Sequence, residues 1–125
     1  MVVKDQNVEI YQGNRRRLIF TVQDEEGPGV KDLTGLNLTF AVARMNDEGV
    51  PLKKNPVIDH RTTDTPAQLV VTDPVNGVVE FTFLCPDTQN LAAREYYWEL
   101  EAHDATCGVV LATGTLTVLT NVNNA

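Results

Sequence analysis

Residues 95–102, Glu-Tyr-Tyr-Trp-Glu-Leu-Glu-Ala, decide the fold of this chain. Every second position carries an apolar or aromatic side chain, at Tyr96, Trp98, Leu100 and Ala102. The positions between them hold three glutamates and Tyr97. Because successive side chains of a strand point to opposite faces, this alternation predicts a β-strand with one buried and one solvated face.

The same alternation recurs along the chain, and Gly, Pro, Asn and Asp separate the segments. It predicts strands at Val8–Tyr11, Arg16–Gln23, Leu36–Ala43, Gln68–Thr72, Val78–Leu84, Arg94–His103 and Val109–Leu119. The segment 44–66 is predicted as a long loop or an edge strand, with Val57-Ile58 as a possible eighth strand. Asn76-Gly77 between two apolar runs indicates a hairpin. Pro86–Leu91 suits one helical turn that crosses between sheets. These features predict an all-β fold, an antiparallel β-sandwich of seven or eight strands with one short helical turn.

The length of 125 residues suits a single domain over residues 1–125, with a core from about 8 to 119 and a short polar tail at 120–125. Trp98 is the expected centre of that core, because an indole buries a large area and needs only one hydrogen-bond acceptor. The other side chains expected in the core are Leu18, Phe20, Val22, Leu38, Phe40, Val42, Val79, Phe81, Phe83, Tyr96, Leu100, Leu116 and Val118.

The charge of the chain limits its partners. The chain contains 10 Lys and Arg residues and 17 Asp and Glu residues, which gives a formal net charge of -7. This charge opposes non-specific binding to nucleic acid or to anionic membranes, so proteins are the expected partners. The first residues are polar, without the apolar segment of a signal peptide, and no apolar run reaches membrane-spanning length. We therefore expect a protein made in the cytoplasm and not exported through a signal peptide.

The sequence offers little catalytic chemistry. It contains no serine, and neither Cys85 nor Cys107 has an adjacent His or a Gly-rich elbow. We expect the two cysteines to lie at opposite ends of the sandwich, roughly 23 Å apart for strands of about seven residues, and to stay reduced. His60 and His103 lack the ligand spacing of a zinc site. No catalytic residue, cofactor or metal is predicted.

Two charged clusters are the candidate partner-binding residues. Arg15, Arg16 and Arg17 form the one basic cluster, which is too short for a nucleic-acid patch on so acidic a chain. Its alternative role is a solvated strand start. The second cluster is the acidic row Glu95, Glu99 and Glu101 on one strand face. This row could attract a basic partner, or it could be the solvated face of a sheet, opposite Arg15, Arg17 or Arg94 on neighbouring strands.

A family resemblance emerges from the order of the turns and strands. It rests on Gln12-Gly13-Asn14, Asp24-x-x-Gly27, Asp32-Leu33-Thr34-Gly35, Asn76-Gly77-Val78-Val79, Tyr96-Tyr97-Trp98-Glu99-Leu100 and Gly114-Thr115-Leu116-Thr117-Val118. Over roughly residues 8–119 the chain resembles the immunoglobulin-like β-sandwich domain of tailed-phage virion proteins, such as the N-terminal domains of phage baseplate upper proteins. Relatives often carry Asp after the first turn glycine, where this chain has Asn14 followed by three arginines. They also often carry Gly just before the tyrosine-rich strand, where residues 92–95 of this chain include none.

The resemblance implies a virion structural protein that acts by binding other virion components, in several copies within a symmetric assembly and with no catalytic residue. A tail or baseplate position is expected, and capsid decoration or a neck position is the alternative. Two other classes remain open. A carbohydrate- or receptor-binding module requires solvent-facing aromatics such as Tyr11 or Tyr97 grouped with carboxylates. A hydrolase requires a concave pocket with convergent Asp, Glu or His.

Overall fold

The computed structural model describes residues 3–23, 29–103 and 108–122, with side chains from residue 7 onward. Its elements are β1 (Val3–Tyr11), β2 (Arg16–Thr21), β3 (Asn37–Ala43), β4 (Ile58–Arg61), β5 (Leu69–Asp73), β6 (Val78–Phe83), α1 (Cys85–Thr88), β7 (Glu95–His103) and β8 (Gly108–Leu119). The expected loops at 24–28 and 104–107, which include Cys107, and the end of the polar tail lie outside the described residues.

Two sheets pack face to face. The five-stranded sheet has the order β1-β8-β7-β3-β4, and the three-stranded sheet has the order β2-β6-β5. The predicted all-β sandwich with one short helical turn is confirmed, with eight strands among the described residues. Within that part of the chain the helix has only four residues, and no helix is long and apolar enough to cross a membrane.

One pairing departs from the expected antiparallel pattern. β1 runs parallel to β8, with Val8 opposite Leu116 and Ile10 opposite Val118. The reason lies in the turn at Gln12-Gly13-Asn14, where Gly13 has a φ of 75° that glycine adopts without a Cβ penalty. This turn carries the chain from one sheet to the other, so β1 and β2 do not form a hairpin and β1 instead extends the five-stranded sheet.

The core is centred on Trp98, which is fully buried. Its ring lies 5.3 Å from that of Phe20 and 5.6 Å from that of Phe40, centroid to centroid. Phe40 in turn stacks on Phe81 across the two sheets at 4.2 Å. Every predicted core side chain is buried except Phe20, which is partly buried. The core also contains side chains that were not in the predicted core set, namely Val8, Ile10, Leu33, Ile58, Leu69, Ala102, Leu111 and Ala112.

The strand boundaries differ from the prediction mainly in β1 and β4. β1 begins at Val3 instead of Val8, and the short strand expected at Val57-Ile58 is Ile58–Arg61. The predicted Asn76-Gly77 hairpin between β5 and β6 is present, with Gly77 at a φ of 68°. A Cβ on Gly77 would lie 2.6 Å from the carbonyl oxygen of Lys31. Glycine is therefore required there both by the backbone conformation and by close packing.

Candidate protein-binding surfaces

The structure separates the two charged clusters. Arg15 precedes β2, and Arg16 and Arg17 begin it, in the three-stranded sheet. The acidic row of Glu95, Glu99 and Glu101 lies on β7, in the middle of the five-stranded sheet, between β3 and β8. The expectation that Arg15 or Arg17 faces this row from a neighbouring strand is wrong, because the turn after β1 moves the arginines to the other sheet.

Two carboxylates of the acidic row on β7 have partners close to them. The Lys53 Nζ lies 3.1 Å from Glu99 Oε2, and the His103 Nε2 lies 3.1 Å from Glu101 Oε1. The Tyr97 hydroxyl donates a 2.6 Å hydrogen bond to the same Glu99 carboxylate. Burial, this hydrogen bond and the negative charge of Glu99 raise the pKa of Tyr97 well above its ordinary value. Glu99 is thus part of a local network, which favours the solvated-face interpretation for this residue.

Glu95 differs from the other two glutamates of the row. It is exposed at the start of β7, opposite Thr117 of β8. No ion pair joins Glu95 to any other described residue. Of the acidic row, Glu95 is therefore the carboxylate that remains most available to a partner.

A shallow groove of about 420 Å³ runs over the outer face of β4, β3 and β7. Its charged lining residues are Lys53, Asp59, Arg61, Glu99, Glu101 and His103. These carboxylates and cations form pairs, since Arg61 Nη2 also lies 3.7 Å from Asp59 Oδ2. The groove brings carboxylates and a histidine together, as the hydrolase alternative requires. Asp59 and Glu99, however, each lie beside a cation, and Glu101 lies beside the His103 ring, an arrangement typical of a polar sheet surface.

The three arginines occupy different environments. Arg16 Nη1 donates a 2.8 Å hydrogen bond to the carbonyl oxygen of Glu9 in β1. Arg17 is 64% exposed and lies 3.9 Å from Glu80 of β6, which is a weak surface pair. Arg15 is exposed and has no hydrogen-bond or ion-pair partner within the described part of the chain. The basic cluster therefore presents at least one uncompensated guanidinium to solvent.

The aromatics required for a carbohydrate site do not form one platform. Tyr11 is 51% exposed and lines a second groove, of about 280 Å³, with Glu9, Arg15 and Arg16. Tyr97 is partly buried and bound to Glu99. Tyr11 lies opposite Leu119 of β8, whereas Tyr97 lies opposite Thr115 on the other side of the same strand. Four residues of register separate them by about 13 Å along the strand, so the two rings cannot stack on one sugar.

A polar cluster that the sequence pattern does not predict joins the two sheets along one side of the sandwich. Asp87 of α1 is its centre: Oδ1 lies 2.7 Å from His60 Nε2, and Oδ2 accepts hydrogen bonds from the Gln68 amide at 2.8 Å and the Leu84 backbone N–H at 2.7 Å. His60 belongs to the five-stranded sheet, whereas Gln68 adjoins β5 of the other sheet. The cluster thus joins the two sheets. No sequence signal marks it, because His60 and Asp87 are 27 residues apart.

The described residues contain no group of three or more His, Cys, Asp or Glu side chains that could hold a metal ion. Cys85, at the start of α1, is exposed and free. The surface features with a capacity to bind a protein include the basic cluster, Glu95 and the free edges of the two sheets.

Comparisons with known proteins support the fold. No protein-family model matches the chain, and no curated protein matches it. Among solved structures, the N-terminal domain of phage TP901-1 ORF48 matches over 95% of this chain and 85% of its own length, with a TM-score of 0.54 and 10% identity. Two further structures match with lower TM-scores. A chimeric titin Z1Z2 structure has a TM-score of 0.34 and 13% identity, over 98% of this chain and 46% of that one. The periplasmic chaperone SfaE has a TM-score of 0.38 and 14% identity, over 94% of this chain and 55% of that one. The chain thus shares the fold of a phage protein domain.

Proposed function

We propose that this protein is a non-enzymatic virion structural protein of a tailed phage, an immunoglobulin-like module that binds other virion components in the tail or baseplate. The observation that carries the proposal is the similarity to the ORF48 N-terminal domain over nearly the whole chain. A fold does not determine a function, so the surface must agree with the proposal. It does, because the charged side chains of the groove over β3, β4 and β7 lie beside one another, whereas Arg15 and the free strand edges remain available for protein contacts.

The partners in this proposal are other virion proteins, and the protein is present in several copies within a symmetric assembly. Its charge of -7 opposes contact with packaged nucleic acid or with a membrane surface. Its location is the virion, after synthesis in the host cytoplasm. No residue has a catalytic role, and no cofactor is needed.

Mass spectrometry of purified particles from the source phage or induced prophage tests the proposal. We expect the protein in the particles at a low, fixed stoichiometry relative to the tail-tube and major capsid proteins. A stoichiometry close to that of the major capsid protein would contradict the tail or baseplate position and indicate capsid decoration. Absence from particles obtained in quantity would overturn the virion assignment.

A further inference from the structure

The four edge strands of the sandwich differ in how their free sides are protected. β1 and β4 are the edges of the five-stranded sheet, and β2 and β5 are those of the three-stranded sheet. A free edge exposes unpaired N–H and C=O groups, which can template another strand. Natural edges are protected by caps, bulges or short length, so the edge that lacks such devices is the candidate docking site.

The free edge of β1 is partly capped. The Gln12 N–H binds the Leu119 carbonyl, and because backbone groups alternate in direction along a strand, those of Ile10 and Val8 also point towards β8. The groups of Glu9 and Tyr11 therefore point away from the sheet. Arg16 Nη1 donates a 2.8 Å hydrogen bond to the Glu9 carbonyl oxygen, and the Asn14 N–H donates a 3.1 Å hydrogen bond to the Tyr11 carbonyl oxygen.

The edges β4 and β5 are also protected. β4 has only four residues, and the outward N–H of Arg61 donates to Asp64 Oδ2 at 2.9 Å. β5 has five residues, and its register is interrupted between Val71 and Asp73. Such an irregularity bends and twists an edge strand, so that another strand fits poorly beside it.

β2 has none of these protections among the described residues. It pairs with β6 in continuous register from Arg16 to Thr21. The Val22 N–H binds the Gly77 carbonyl, so the alternation directs the backbone groups of Leu18 and Phe20 towards β6 and those of Arg17, Ile19 and Thr21 to the free side. No side chain in the described ranges binds these three backbone positions. The Ile19 side chain, 59% exposed, adds an apolar contact on the outer face.

The positive charge beside the free edge of β2 indicates which kind of strand can pair with it. Arg17 lies on the edge strand, and Arg15, which lacks a partner in the described part of the chain, immediately precedes it. Pairing of β2 with β2 of a second copy would place the arginines of both copies along one edge and would offer them no acidic side chain, because β2 contains none. An acidic strand would instead gain opposite-charge cross-strand pairs.

We propose, on the basis of the proposed virion function, that the free edge of β2 binds an extended acidic segment of another virion protein as a fourth strand of the three-stranded sheet. Main-chain hydrogen bonds to Arg17, Ile19 and Thr21 provide affinity, as in other strand-addition complexes. Acidic side chains at alternate positions of the added strand lie beside Arg15 and Arg17 on the outer face. Apolar side chains at the intervening positions cover the partly buried Phe20.

A peptide titration followed by amide NMR tests this proposal. The probe is a ten-residue peptide that alternates Glu and Val, used up to millimolar concentration. We expect shifts concentrated at residues 16–21, and weaker binding at higher salt. A Lys–Val peptide of the same length and a Glu–Val peptide with alternate N-methylated amides should both fail to bind, because the first has the wrong charge and the second cannot form the ladder.

A matched pair of variants completes the test. Arg15→Glu combined with Arg17→Glu should weaken Glu–Val binding at least ten-fold. Arg61→Glu is the control, since Arg61 is a similarly exposed arginine on the β4 edge, 61% against 64% for Arg17. Equal binding of the Lys–Val peptide, no binding of the Glu–Val peptide, shifts centred on another strand, or a dimer formed through β2 in sedimentation would each overturn the inference. Because the titration uses no particles, its failure leaves the proposed virion function standing, and absence from particles leaves the peptide result standing.

Discussion

The two long sides of the sandwich differ in whether their polar groups are hydrogen-bonded within the protein. On the side of β4 and β5, the closed side, Asp87 binds His60, Gln68 and the Leu84 N–H, and so joins both sheets. On the side of β1 and β2, the open side, Arg16 caps one carbonyl of β1, while the outward backbone positions of β2 have no described partner. The comparison indicates that the closed side contributes to stability and the open side remains available for binding.

The largest effect is expected from Asp87→Ala on the closed side. The substitution removes three hydrogen bonds. It leaves the Leu84 N–H without its acceptor, whereas the Gln68 amide keeps its 3.0 Å bond to the Thr82 carbonyl. We expect a loss of about 2–4 kcal/mol in the free energy of unfolding, since each buried donor that is left unsatisfied carries a cost. Chemical denaturation measures it. Asp64→Ala is the control, because Asp64 is 41% exposed and lies 3.9 Å from the same His60. An equal loss in both variants would contradict the central role of Asp87.

His60→Ala should have the next largest effect, about 1–2 kcal/mol. It removes one hydrogen bond to Asp87 and the contact with Phe81, whose ring centroid lies 5.5 Å from that of His60. In a double-mutant cycle with Asp87→Ala, we expect a coupling energy of about 1 kcal/mol. Additive losses would show that the two side chains stabilise the closed side independently.

Much of the inner face was predictable from the sequence, and the closed side was not. The alternation at Tyr96, Trp98 and Leu100 identifies buried positions because a period of two is a local property of a strand. The parallel pairing of β1 with β8 and the contact between His60 and Asp87 depend on which distant strands become neighbours. Such information is not contained in any local window.

The charged clusters illustrate the same limit. Glu99 is predicted correctly as an outward-facing residue of a strand, yet its cation is Lys53, which comes from the irregular segment before β4. Arg15, Arg16 and Arg17 are adjacent in sequence, but only Arg16 reaches the backbone of β1. Identical residue types in one short segment therefore acquire different roles through the turn that places them between the two sheets.

Substitutions on the open side should scarcely change stability. We expect Arg15→Glu combined with Arg17→Glu to alter the free energy of unfolding by less than about 0.5 kcal/mol, because exposed ion pairs contribute little. The 3.9 Å contact of Arg17 with Glu80 is of this kind. Thermal and denaturant unfolding of the variant measure this. A loss comparable to that of Asp87→Ala would show that the open side is structural and would remove the contrast between the two sides.

The smallest effect concerns the outer face of β7 and appears only at alkaline pH. The pKa of Tyr97 is raised above its ordinary value by burial, by its hydrogen bond to Glu99 and by the charge of Glu99, so the folded protein holds the phenolic proton more tightly than the unfolded chain does. The free energy of unfolding should therefore be unaffected below about pH 10 and should fall as the pH rises above it.

Tyr97→Phe should make this alkaline decline shallower. It should not abolish it, because burial also raises the pKa of Tyr96. Denaturant unfolding between pH 8 and pH 11 compares the variant with the parent protein, with Tyr11→Phe, on the exposed end of β1, as the control. If the free energy of unfolding declined equally with pH in Tyr97→Phe and in the parent protein, the unfolded chain and the folded protein would bind the Tyr97 phenolic proton equally.

Amide hydrogen exchange along β2 tests the contrast between the two sides most directly, because it needs no partner. We expect an alternation in the free protein: the amides of Leu18 and Phe20, directed to β6, exchange slowly, and those of Ile19 and Thr21, directed to the free edge, exchange at least about ten-fold faster. Equal protection of Ile19 and Thr21 with Leu18 and Phe20 in the monomer would show that this edge is already covered, and would contradict its availability for an added strand.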